Sequence, residues 1–402
     1  MKLWKKKQAA ALSLAVLMAL PGCQTPDPGT SGSGTSDPSA QQVEAAATDP
    51  THIYEEVGGN FLIDAEISGP PEGVVPKVYR GHYKSFSKEE VDAFLEQVGD
   101  SVAEIRSDGI EGKDYCYSGA CTSGGSFSTC ANADGTTMTS DFSYNRRKNK
   151  IYEYPIYINQ DDYNDSKEIR LAYLFEEPTD MACGTAAEAE EAIRMALSAL
   201  GLSDIVLNRT LYISHDRMAQ ADELMQTEEW SGSVKGGEIS QFQGNDWSEA
   251  DDCYMFEFFC GVDGIPLSYQ SWKRETATYC GNYITAWYDA DGLLSVGVYY
   301  PWVADEVAEE PDQVISAEEA LQVVQNKIGN VITDQNQELQ SLTLRYLYRQ
   351  DGDAWLLIPV WEAVIHQASK DPNSWVPESC TYVTVDLAGY RMGSLNGTLE
   401  KG

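Results

Sequence analysis

The sequence predicts an α+β protein made of tandem modules, each a single helix packed on an antiparallel sheet. Two observations carry that prediction. Three short segments open with the same helix-start signature, and each is followed by alternating apolar runs broken by tight turns. A lone helix followed by several strands favours antiparallel sheets, whereas strict alternation of strand and helix would favour a parallel one.

The helices come first. In SFSKEEVDAFLEQVG, Ser87 precedes Glu90 by three positions, and Phe86 is placed to staple onto Val91. The corresponding pairs are Thr185 and Glu188 in GTAAEAEEAIRMALSALG, and Ser316 and Glu319 in ISAEEALQVVQNKIG. Such a hydroxyl and carboxylate satisfy amide donors that the first helical turn leaves unpaired. Apolar residues then recur with the helical period: Val91, Phe94, Leu95, Val98; Ala189, Ala192, Ile193, Ala196, Leu200; Ala317, Ala320, Leu321, Val324, Ile328. Gly99, Gly201 and Gly329 stand where a left-handed C-cap is needed.

Strands follow each helix. After the third come SLTLRYLY, then AWLLIPVWEAVI across the turn Asp351-Gly352-Asp353, then TYVTVDLAG. After the second come LNRTLYIS, CYMFEFFCGVDGIPLSY and YITAWYDADGLLSVGVYYP, with Asp263-Gly264 and Asp291-Gly292 as hairpin turns. After the first come TMTSDFSYNRRKNKIYEYPIYI and EIRLAYLF, in which the basic cluster Arg146, Arg147, Lys148 and Lys150 reads as a solvated hairpin turn. The modules expected from this pattern are residues 51–180, 181–304 and 315–398. Their boundaries fall in FEEPTDMAC and in the acidic, proline-flanked PWVADEVAEEPDQV.

The N-terminus reads as an export signal over residues 1–22. Lys2, Lys5, Lys6 and Lys7 precede an apolar run from Ala9 to Leu20. That run is about 12 residues, short of the roughly 20 that cross a bilayer. Leu20-Pro21-Gly22-Cys23 resembles the bacterial lipobox, which implies acylation of Cys23, a palmitate-type anchor in the cell membrane and a body on the extracytoplasmic face. Residues 23–50 are Ser, Thr, Gly, Pro and Ala with little apolar surface to bury, the composition of a disordered tether.

Composition excludes one class of partner. Asp and Glu number 63 against 28 Lys and Arg, a formal charge of −35. Such a surface repels nucleic acid and anionic headgroups. Eight cysteines remain beside Cys23: Cys116, Cys121, Cys130, Cys183, Cys253, Cys260, Cys280 and Cys380. An even number in an exported chain points to disulfides, and if all eight pair, parity requires a bridge between modules. Reduced, buried cysteines are the alternative. No CxxC or HExxH occurs and the histidines are scattered, so the spacing does not suggest a metal site.

No GxSxG, P-loop or GxGxxG in a βαβ setting occurs in the sequence. Ser85 and Lys88 match SxxK but straddle a helix start. His215-Asp216 reads as a solvated turn at a strand end, and His366 with Cys380 as residues flanking an exposed loop. Asp161, Asp162 and Asp165, and Asp246, Glu249, Asp251 and Asp252, form acidic loops without EF-hand spacing. Trp247 and Trp375, in polar loops, are the tryptophans least easily placed in a core. The expectation is no catalytic residue, no cofactor and no metal.

The order ISAEEAL, LLIPVWEAVI, TYVTVDLAG resembles the PepSY-type unit and the related unit of the YycH/YycI regulatory proteins. The pair FEFFCGVDGIPLSY and ITAWYDADGLLSVGVYY is similar to the same plan, as is VPKVYRGHYKSFSKEEVDAF to uncharacterised lipoproteins of Firmicute bacteria. The resemblance implies a PepSY-like C-terminal module and a role in regulation or inhibition through contact with another protein. Together these readings lead to the expectation of a non-enzymatic, lipid-anchored extracytoplasmic protein that binds a protein or peptide. The alternatives are a solute-binding lipoprotein for sugar or peptide, and a cell-wall-active hydrolase.

Overall fold

The computed structural model describes residues 51–58, 60–111, 114–132, 141–146, 172–179, 181–225, 246–268, 282–311, 315–328, 335–351, 354–369 and 379–386. All of these belong to one unit of the chain, Glu44–Gly402. In chain order the first elements are β1 (Thr51–Gly58), β2 (Phe61–Ser68), β3 (Val78–Tyr83) and α1 (Lys88–Gln97). Then come β4 (Val102–Glu111), β5 (Asp114–Cys121), β6 (Ser126–Asn132), β7 (Asp141–Asn145), α2 (Ala186–Ala199), β8 (Ile205–Ile213) and α3 (His215–Met225). The remainder is β9 (Cys253–Val262), β10 (Ile265–Pro266), β11 (Tyr283–Asp289), β12 (Gly292–Tyr299) and β13 (Trp302–Glu309). Last are α4 (Ala317–Ile328), β14 (Gln335–Asp351), β15 (Ala354–Ser369) and β16 (Ser379–Asp386). The protein is thus mixed α+β with mainly antiparallel sheets.

The three expected helices start where their capping residues place them. Ser87 Oγ accepts from the Glu90 amide at 3.2 Å while the Ser87 amide donates to the Glu90 carboxylate at 2.9 Å. Thr185 with Glu188, and Ser316 with Glu319, make the same reciprocal pair. At the far end of α1 the chain leaves the helix through Gly99 at φ 71°, a left-handed conformation open to glycine at little cost.

Among the described residues the strands form two sheets. The first runs β1-β2-β14-β15-β3-β13, with β16 also on β15. The second runs β10-β9-β11-β12-β7-β6-β5-β4, with β8 also on β9. Each of α1, α2 and α4 is followed by a consecutive antiparallel meander: β4 to β7, β8 through β9 and β11 to β12, and β14 to β16. The first two meanders fuse edge to edge through β7 and β12, in register from Asp141↔Tyr299 to Asn145↔Ser295. The third is extended by β2, which pairs in parallel with β14 from Phe61↔Gln337 to Ser68↔Thr343.

One large core joins both sheets to the helices. It takes Val91, Phe94 and Leu95 from α1, Ile193 and Leu197 from α2, and Leu321 and Val324 from α4. These meet Phe256, Ile284 and Val298 of one sheet and Leu342, Tyr346 and Trp361 of the other. Strand β9 is buried along its whole length because both of its faces are covered. Tyr254, Phe256, Phe258 and Cys260 point to the large core, whereas Cys253 and Met255 point to a smaller cluster with Met218, Ala221, Trp287 and Leu294.

Three sequence expectations change. The His215 segment is not a turn but the first residue of α3; the Ser214 carbonyl accepts from Met218 N–H at 2.9 Å and Met218 and Ala221 are buried. The stretch PWVADEVAEEPDQV is not simply a boundary, because Trp302–Glu309 forms β13 and pairs with β3. The second hairpin turns on Ala290 and Asp291, with Asp289 opposite Gly292, one residue earlier than the Asp-Gly dipeptide suggests. The first hairpin does use its dipeptide: Asp263 and Gly264 sit at φ 53° and 75°, the left-handed pair that a two-residue turn needs.

Candidate functional site

Titratable side chains concentrate at one end of the second sheet. The register places Ile213 and Asp289 opposite Cys253 on its two sides, so the ends of β8 and β11 meet the start of β9 there. Four short segments are thereby gathered: the turn Met181–Gly184, Ser214-His215, Glu249–Asp252, and Asp289–Asp291. Arg146, just beyond β7, is anchored beside them by its amide on the Leu294 carbonyl at 2.9 Å.

Asp252 is the hub. It is 4% exposed and accepts from the His215 amide at 2.7 Å, with the His215 ring Nδ1 at 2.8 Å from the same oxygen. Its other oxygen accepts from Ala182 N–H at 3.4 Å. The hydrogen bond to Asp252 raises the His215 pKa above its ordinary value, outweighing the opposite push from burial, and the charges of Asp252, Asp216 and Glu249 add to it. A cation at a helix N-terminus is disfavoured by about 0.3–1 kcal/mol. Here the neighbouring carboxylates win, and the ring is biased toward imidazolium.

The thiols nearby are held the other way. Burial pushes Cys183 up to about 11, and the fully buried Cys253 lies well above the usual thiol range for the same reason, with Cys183, Asp289 and Asp252 adding to it. A cysteine nucleophile works as thiolate, made by a depressed pKa beside cations or a helix N-terminus. This end of the sheet does the reverse. Arg146 does not supply the missing positive field, because its guanidinium is bonded to buried Asp289 and stands 3.9 Å from Asp291. Arg146 thus sits in a largely buried ion pair, while Arg147, Lys148 and Lys150 of the same basic cluster lie outside the described residues.

The other residues singled out in the sequence are dispersed. Lys88 donates to Asp108 at 3.1 Å and lies over the Tyr117 ring at 4.2 Å, committed to packing and not to an SxxK pair. Asp251 turns back to the Ser248 amide and hydroxyl at 3.0 and 2.9 Å, away from Asp252. Trp247 is half-buried against the smaller cluster and donates to Asp222 at 2.8 Å, so it is a packing residue. His366 and Cys380 are opposite one another in the β15–β16 register, but the Cys380 side chain lies outside the described residues. So do Cys23, Cys280, Asp161, Asp162, Asp165 and Trp375. No disulfide joins Cys116, Cys121, Cys130, Cys183, Cys253 or Cys260 among the described residues. Among the described residues, no three His, Cys, Asp or Glu side chains gather as a metal ion requires.

Among the described residues, two buried glutamates escape notice in the sequence. Glu257 pairs with Arg209 at 2.8 Å and accepts from Asn208 at 3.2 Å. Glu362 pairs with Arg345 at 3.0 Å and accepts from Ser268 Oγ. The signal was a single acid inside an apolar strand, in FEFFC and in PVWEAV. An unpaired charge is not tolerated there, so each such acid implies a cation on the next strand.

No helix among the described residues is long and apolar enough to cross a membrane. No family model matches the chain, and no curated protein matches it. A solved structure does: the chain is similar to an uncharacterized protein from Eubacterium rectale, at 16% sequence identity and a TM-score of 0.57. The likeness covers 86% of this chain and 93% of that one, and at this identity what the two share is the fold.

Proposed function

We propose that this protein is a lipid-anchored, extracytoplasmic binding protein of regulatory type, which acts by contact with a protein or peptide and not by catalysis. In this reading residues 1–22 direct export, Cys23 carries the lipid, and residues 23–50 hold the folded body away from the membrane. The body is built on tandem PepSY-like units, and the threefold succession of one capped helix and one antiparallel meander supports that assignment.

The observation that carries the non-catalytic reading is the bonding at the end of the second sheet. His215 is tied to Asp252 through both ring and amide, while burial keeps the thiol of Cys183 protonated. The Asp252 bond would leave the imidazole able to act as a base through Nε2, but a cysteine hydrolase would also need that sulfur as thiolate, which burial opposes.

The test compares the wild type with Cys23→Ala in crosslinking on intact cells followed by fractionation. The expected result is a membrane-bound wild type joined to one discrete protein or peptide, and a Cys23→Ala variant released from the membrane. A variant that stays membrane-bound sinks the anchor. Turnover of a wall fragment or peptide that is abolished in a folded His215→Ala variant sinks the non-enzymatic reading.

A further inference from the structure

Cys116 on β5 and Cys130 on β6 are directly opposite one another in the antiparallel register. The turn between the strands settles what kind of pair they make. Cys121 N–H donates to the Gly125 carbonyl at 3.0 Å, and Gly124 N–H donates to the Cys121 carbonyl at 3.0 Å, with Gly124 at φ 90°. This is a three-residue hairpin loop closed by a glycine bulge. Cys121 and Gly125 are therefore a hydrogen-bonded pair.

Bonded and non-bonded pairs alternate along an antiparallel ladder. The register continues without a shift from Ala120↔Ser126 to Asp114↔Asn132. Counting from the turn, Gly119↔Phe127 and Tyr117↔Thr129 are bonded, so Ser118↔Ser128 and Cys116↔Cys130 are not. Non-bonded pairs bring side chains closest, with Cα atoms about 4.5 Å apart. That separation falls inside the roughly 4.4–6.8 Å that a disulfide spans.

The face matters as well. Tyr117 and Cys121 on β5, and Phe127 and Thr129 on β6, are buried toward the core. Cys116 and Cys130 lie on the opposite face and both are half-buried, within reach of a soluble oxidant. On the far side of Cys116 the register places Gly109, and among the described residues nothing lies within 4 Å of where its Cβ would be. That flank is open. Cys121 is no competitor, since it points inward.

We propose that Cys116 and Cys130 are a cross-strand thiol pair that closes to a disulfide when it meets a disulfide oxidant. The thiolate of one cysteine attacks the oxidant's sulfur–sulfur bond, releasing one thiolate and leaving a mixed disulfide. The thiolate of the other attacks the bonded protein sulfur and expels the second half of the oxidant. Two protein thiols give up two protons and two electrons, and the oxidant is reduced to two thiols. The inference goes beyond the binding reading and does not depend on it.

The experiment incubates the purified protein with oxidised glutathione, quenches it by alkylation, and maps the peptides without reduction. The expected result is a peptide linking Cys116 to Cys130, with both protected from alkylation. In Cys116→Ser, Cys130 should instead carry glutathione. The oxidised wild type should melt at a higher temperature than the reduced form, and the double variant Cys116→Ser/Cys130→Ser should lose that difference. Finding both cysteines alkylated after oxidation, or Cys130 joined to any other cysteine, overturns the proposal. Mapping of the wild type decides the matter even if a variant fails to fold.

Discussion

Trp302 lies stacked on Tyr348, ring centroids 4.7 Å apart and planes within 18° of parallel. Trp355 and Tyr83 close on the same indole edge-on at 5.1 and 5.2 Å. One aromatic group therefore joins β3, β13, β14 and β15. The indole is 1% exposed, and its Nε1 has no hydrogen-bond partner among the described residues. Trp302→Ala should lower stability by about 3–5 kcal/mol, the usual cost of emptying so large a site. Trp302→Phe should lose much less, because no hydrogen bond among the described residues goes with the indole. Urea unfolding of the two variants checks both values, and equal losses would show that the stack is not the source.

That tryptophan also marks where sequence reading stops. The capped helices were legible because a capping box and an apolar stripe are local signals, complete within about four turns. The meanders were legible for the same reason, since neighbours in the chain are neighbours in the sheet. Trp302 was not, because acidic, proline-flanked residues surround it and its partner strand is more than two hundred residues away. The parallel pairing of β2 with β14 is equally non-local. At the candidate site, His215 was visible but not its partner: Asp252 sits in an acidic run, and only the fold selects it over Asp216, Glu249 and Asp251.

Glu362 should behave as a charge that the fold cannot leave alone. It is 3% exposed, paired with Arg345 and bonded to Ser268 of the neighbouring sheet's connection. Arg345→Met removes the cation paired with it among the described residues, and should cost about 3–5 kcal/mol. Arg345→Met combined with Glu362→Leu should recover much of that loss, since neither charge then remains buried. A double-mutant cycle by urea unfolding measures the coupling. If the double variant were as unstable as the sum of the single ones, the pair would not be coupled.

Asp100 contributes to the acid limb of stability. Burial alone would raise its pKa, but hydrogen bonds from Ser123, the Ser101 amide, Thr122 and Tyr144 outweigh burial and hold it below the usual carboxylate value. A folded pKa below the unfolded one, about 3.9 for aspartate, contributes stability above that value. The contribution disappears as pH falls through the folded pKa. Melting temperatures should therefore drop more steeply on acidification in the wild type than in Asp100→Asn, which starts lower. Parallel acid limbs would rule out this carboxylate as the cause.

His215 predicts the opposite sign near neutrality. Its folded pKa is raised, first by the hydrogen bond to Asp252 and then by the neighbouring charges. The groups facing it are Asp252 from the start of β9, Asp216 from its own helix and Glu249 from the preceding turn, all acidic. A raised folded pKa means that the folded state holds the proton more tightly than the unfolded chain, whose histidine titrates near 6.5. The stabilising contribution is therefore complete below about pH 6.5 and is lost as pH rises through the folded pKa. Urea midpoints of the wild type should fall as pH rises through neutrality. In His215→Gln, which has no proton to lose, that slope should flatten while the acid limb persists. A wild-type midpoint that climbs over this range, or a variant with an unchanged slope, would mean that the imidazole and Asp252 do not hold the proton between them.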